Sequence, residues 1–192
     1  MTAQISDFVE WEGEEYSINA IENEWPFDPT KEGFKPKCVH TACWRGFHCR
    51  YEVAKEELRL KDFYVSVEGI LAKEWRGVAP KKGEFFKHDR QWLYSDLSLP
   101  ISYSGGIVLC REFLHDFYVH MGFHRPHCYK HVYELTFEEG ILLSATDESP
   151  RMEAARSELK KNKKKWSTKP TKNEISDFVE DSFSLKYEKK WS

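Results

Sequence analysis

The chain has 192 residues, is 40% hydrophobic and 32% charged, and carries a formal net charge of −3. That length suits one domain, at most one with a small appendage, and the composition excludes an intrinsically disordered chain. The charge is uneven: residues 150–192 hold 12 Lys and Arg against 7 Asp and Glu, a net of +5, while residues 1–149 hold 17 against 25, a net of −8.

Aromatic residues make up 15% of the chain, which tilts the expectation toward sheet, because Trp, Tyr and Phe fit half-buried pleated surfaces. The five cysteines (Cys38, Cys43, Cys49, Cys110 and Cys128) are odd in number and outline no disulfide framework. No basic and apolar leader follows Met1, and no apolar run reaches the roughly 20 residues that cross a bilayer. The expectation is a protein of the reducing cytoplasm with free thiols and no membrane segment.

In chain order, residues 7–21 read as a hairpin turning at Glu12-Gly13. Trp25-Pro26-Phe27-Asp28-Pro29 reads as an extended surface loop, closed by a turn at Lys31-Glu32-Gly33. The stretch from Cys38 to Cys49 is dense in Cys and His, but its spacing does not match paired zinc ligands. Strand phase also separates His48 from Cys49: Phe47, Cys49, Tyr51 and Val53 share one face, and His48, Arg50 and Glu52 the other. Cys49 is therefore expected in the core.

The chain returns from a turn at 54–57 through Leu58 and Leu60. Its apolar phase then slips by one residue to Phe63, Val65 and Val67, as a bulge would produce. Residues 68–95 lack periodicity and read as a long irregular connection rich in aromatic and basic side chains. Leu97, Leu99, Ile101 and Tyr103 alternate, and Pro100 demotes that run to an edge strand. Gly105-Gly106 reads as a sharp turn before a buried strand, Ile107 to Cys110.

Leu114, Phe117, Tyr118 and Met121 fit a short helix over 111–122, with Gly122 as its stop. After a turn at 124–127, Tyr133, Leu135 and Phe137 share one strand face with His127, Tyr129 and His131; Glu138-Glu139-Gly140 turns the chain into a return strand, Ile141 to Ala145. Ser149-Pro150 starts a helix with a narrow stripe of Met152, Ala155 and Leu159, followed by lysines from Lys160 to Lys165. A second amphipathic helix is expected around Ile175, Phe178, Val179 and Phe183, and the last residues are expected to be ordered where Trp191 docks.

The fold expected is α+β: six to nine mainly antiparallel strands in a curved sheet, sandwich or partial barrel, with one or two C-terminal helices. Residues 1–149 form the β-rich core domain, and residues 150–192 a basic helical segment packed on it or appended to it.

No nucleophile elbow, phosphate loop or dinucleotide fingerprint is present. The expected function is that of a cytoplasmic, non-enzymatic binding or interaction protein without cofactor, for a protein partner or small ligand. Its contact surface would comprise Trp75, Trp92, His124, Arg125, His127 and His131. The alternative is a small metal-dependent enzyme using the His120–His131 cluster, with His124, His127 and His131 on a divalent ion such as zinc. A further alternative is nucleic-acid binding through the lysines after Leu159 and Trp166, which the acidic body opposes.

Overall fold

The computed structural model describes residues 2–67, 73–83, 91–118, 120–162, 176, 179–180 and 182–187. Alternation organises the first half. β1 (Phe8–Trp11) and β2 (Glu14–Ile21) form the first hairpin, and β3 (Phe47–Ala54) and β4 (Glu57–Val65) the second. The bulge lies where the apolar phase slips. Arg50 faces Asp62 and Tyr51 faces Leu60, so Lys61 is the extra residue.

β5 (Lys81–Lys82), β6 (Trp92–Tyr94) and β7 (Leu99–Pro100) are short and add to the β4 side. β8 (Gly105–Phe113), β9 (Tyr129–Glu138) and β10 (Ile141–Asp147) form an antiparallel meander. The strand order is β10-β9-β8-β2-β1-β3-β4-β6-β5, with β1 and β3 parallel and the other pairs antiparallel. The sheet curls until β10 meets β4, where Ile141 pairs with Glu57. The result is α+β with a strongly curved, mainly antiparallel sheet.

The concave face is the main core. Val9, Ile18, Cys49, Tyr51, Leu60, Phe63, Leu109 and Leu135 are buried there, as the period-two faces require. A second cluster of Ala20, Val108, Cys110, Val132 and Met152 lies between the convex face and α1 (Ser149–Asn162). Strand β8 is thus apolar on both sides over Ile107 to Cys110, because a helix covers one of them. The described C-terminal residues also pack down: Leu185 joins the main core.

Several expectations are corrected. Residues 25–29 are a loop followed by the expected turn at 31–33, but the loop is pinned to the core, because Phe27 and Phe34 are buried against Phe63 and Trp75. The connection after β4 is not wholly irregular, since Tyr94 of β6 pairs with Phe63 and stacks on it at 4.7 Å. The alternating run does lie along β4: Leu99–Pro100 pairs with it, and the Leu97 and Ile101 N–H groups donate to the Lys61 and Leu58 carbonyls at 2.9 Å. Gly105 and Gly106 do not turn but open β8.

The helix expected over 111–122 is absent. Cross-strand pairing of Arg111 with His131 and Phe113 with Tyr129 keeps the backbone extended to Phe113, and only a 3-10 turn (His115–Phe117) follows. A further 3-10 turn (Pro126–Cys128) precedes β9. Ser149 is the first helical residue and not the cap: its hydroxyl is turned to the Val132 backbone, accepting from N–H at 3.1 Å. Leu159 is exposed, and Arg156 is buried in its place. Ile175, Phe178 and Trp191 lie outside the described residues. No helix among the described residues is long and apolar enough to cross a membrane.

Candidate functional site

A cleft of about 740 Å3 opens where five stretches of chain meet: the N-terminal segment at Gln4, the end of β2 and the residues after it, the loop before β3, the turn at Phe123 and the segment 183–187. The loop before β3 is turned by Gly46, whose φ is +72°. A Cβ at that position would stand 2.6 Å from the Lys37 backbone, so glycine alone fits the turn. The turn leaves Trp44 53% exposed at the cleft, while Arg45 reaches into the body.

Arg45 is held by Asp7, which is 0% exposed at the approach to β1. The guanidinium donates to both carboxylate oxygens, at 2.8 and 3.3 Å, and the Cys49 N–H donates to one of them at 2.9 Å. Two-point contact of this kind fixes orientation as well as charge. The same guanidinium lies 3.8 Å above the Trp25 ring and 4.9 Å from that of Phe47. Burial works against its charge, but the Asp7 carboxylate outweighs burial and lifts Arg45 above its ordinary value.

The opposite wall comes from the C-terminal segment. The Ile21 N–H donates to the Leu185 carbonyl at 2.9 Å, and the Phe123 N–H to the Ser182 carbonyl at 2.6 Å. Tyr187 packs so closely on Gly106 that a Cβ there would lie 2.4 Å from its ring. Phe183 then meets Trp44 with ring centres 4.9 Å apart and planes within 14° of parallel. The two rings stack on each other, and the half-exposed Trp44 keeps its outer face open beside the Arg45–Trp25 stack.

The residues expected at the contact surface are scattered. Trp75 is 6% exposed, with its ring in the core and its Nε1–H donating to Glu32 at 3.0 Å, so it offers no outer surface. Trp92 is half-buried in β6. His124 lines a separate cup of about 450 Å3 with Phe113, His115, Tyr118 and Tyr129. Arg125 precedes the 3-10 turn that holds His127. His127 packs on Phe117, and burial, followed by the charges of Arg125 and Arg156, lowers its pKa. His131 lies in β9, with Nε2 3.3 Å from Glu112, and the His120 Nδ1 is 2.6 Å from the Tyr118 hydroxyl. Among the described residues, no three His, Cys, Asp or Glu side chains are grouped to hold a metal ion. Lys160 and Lys161 are exposed at the end of α1, and Lys163 to Trp166 lie outside the described residues.

Sequence reasoning missed Asp7, Trp25, Trp44, Arg45 and Phe183 as a set. One local signal existed: Trp44-Arg45-Gly46 interrupts the Cys/His stretch with a large aromatic, a cation and a turn residue. Its partners are remote in sequence and unmarked by any spacing. Comparison with protein-family models, with curated proteins and with solved structures found no match for the chain.

Proposed function

We propose that this chain is a non-enzymatic binding protein that holds a small planar ring in the 740 Å3 cleft. The observation that carries this reading is the exposed Trp44 ring, backed by Phe183 stacked on it and set beside the Arg45–Trp25 stack. The cleft volume falls within the roughly 300 to 1,000 Å3 usual for small-molecule sites. The described lining is mainly aromatic and aliphatic, with Trp25, Trp44, Phe123, Phe183, Leu185 and Tyr187, which supports binding through ring contact. Arg45 is matched by Asp7, and Lys186 and Glu22 both line the cleft, so stacking and not net charge selects the ligand. A cytoplasmic location is supported by the five cysteines, which are all free thiols.

Calorimetric titration with adenine, with indole and with a saturated, non-planar ring of similar size tests the proposal. A planar probe is expected to bind, and Trp44→Ala to weaken it roughly 10-fold to 100-fold, as loss of one stacking face implies. Trp44 is exposed, so the variant should keep the wild-type melting temperature. Equal affinity for the saturated ring, or unchanged affinity in the folded variant, would overturn the reading.

A further inference from the structure

We infer that the cup between β8 and β9 is a second, independent site, built to hold a quaternary ammonium group. Its walls, among the described residues, are rings throughout: Phe113, His115, Tyr118, His124 and Tyr129, around a volume of about 450 Å3. Phe113 stands at their centre. It meets His115 at 84°, Tyr118 at 86°, Tyr129 at 76° and His124 at 61°, with ring centres 4.7 to 6.2 Å apart.

Those angles decide the ligand class. Tyr118 and His124 are nearer parallel, at 34°, but their centres lie 5.4 Å apart, too close for a flat ring to enter between them. The walls crossing Phe113 steeply leave such a ring one face to stack on. They offer a compact tetrahedral cation several faces at once, each carrying the negative side of an aromatic quadrupole. A methylated ammonium suits such a site because it gives up water more readily than a bare ammonium. The large cleft differs in kind, since its Trp44 and Phe183 rings are nearly parallel.

The cup is also held in shape. Asn19 Nδ2 donates to the His124 carbonyl at 2.6 Å, and the Leu114 N–H to the Cys128 carbonyl at 2.8 Å. The described lining of the cup holds no carboxylate, lysine or arginine, so the rings set the preference. The nearby Glu112 is engaged by Lys130 at 3.0 Å.

The test titrates the full chain with tetramethylammonium and choline, and with neutral 3,3-dimethylbutan-1-ol as the uncharged isostere of choline. The cations are expected to bind roughly tenfold or more tightly than the alcohol. Tyr118 is 50% exposed, so Tyr118→Ala should fold; it is expected to lose at least roughly tenfold in cation affinity, while Tyr118→Phe retains it. Trp44→Ala should leave cation binding unchanged, which separates this site from the cleft. Co-sedimentation with phosphatidylcholine but not phosphatidylglycerol vesicles would place the same cage on a lipid headgroup; no sedimentation, with free choline bound, assigns a free molecule. Equal affinity for the alcohol, no binding of either cation, or a folded Tyr118→Ala that binds as the wild type does would overturn the inference.

Discussion

His48 lies flat against Tyr64, with ring centres 4.5 Å apart and planes 11° from parallel. The phase of β3 places it on the face opposite Cys49, and that face too is covered, leaving His48 0% exposed. Burial lowers its pKa from 6.5 to about 4; the Arg45 and Arg50 charges act in the same direction, and Asp7 opposes them. The unfolded chain therefore takes up a proton, between those values, that the folded chain refuses. The contribution of neutral His48 is complete above about pH 6.5 and is lost as pH falls through about 4, a loss on the order of 3 kcal/mol. Urea unfolding of the wild type and of His48→Gln, at about pH 7.5 and about pH 4.5, measures it. The wild type is expected to lose more stability on acidification than the variant; parallel losses would contradict the assignment. Asp7 and Arg45 carry the other residue-scale lesson. A buried carboxylate is tolerable here because a bidentate guanidinium and a backbone N–H satisfy it.

Helix α1 is fastened by a residue that its own sequence pattern hides. Arg156 lies four positions after Met152 and is almost fully buried. Its Nη1 donates to the carbonyls of Tyr129 (2.6 Å) and His127 (3.2 Å), while Nε and Nη2 donate to Glu153. Removing these charge-assisted bonds in Arg156→Met is expected to cost roughly 2 kcal/mol or more, whereas Leu159→Ser on the exposed side should stay within about 0.5 kcal/mol. Denaturation midpoints of the two variants check this, and equal effects would refute it. The contrast shows what was legible in the sequence. The hairpins and the Lys61 bulge could be read because period-two burial and turn residues are local. The stretch 111–122 could not, because Leu114, Phe117, Tyr118 and Met121 match helical spacing while the partners that hold Phe113 extended lie on β9. Arg156 could not either, since only the carbonyls of the turn beneath the helix make an arginine preferable to a leucine there.

At the scale of the molecule, the curled sheet brings the site together. The end of β2 and the residues after it supply one flank, the loop into β3 carries Trp44 and Arg45, and the segment 182–187 closes the far wall against Ile21 and Phe123. The Cys/His-rich stretch did not read as a zinc site in the sequence, because its spacing and strand phase oppose one. In the fold its cysteines are free thiols, and its Trp44-Arg45 pair faces the cleft. That assembly was not readable from the chain, because Asp7 with Arg45 and Trp44 with Phe183 are contacts between distant segments. The most direct measurement follows the tryptophan indole N–H signals by NMR during titration with a planar ring probe. The signals of Trp44 and Trp25 should shift together and saturate, while that of core-buried Trp75, bonded to Glu32, stays fixed. Saturating shifts at Trp75 with Trp44 and Trp25 unmoved, or no shift at any of the three, would contradict the placement of the ligand in this cleft.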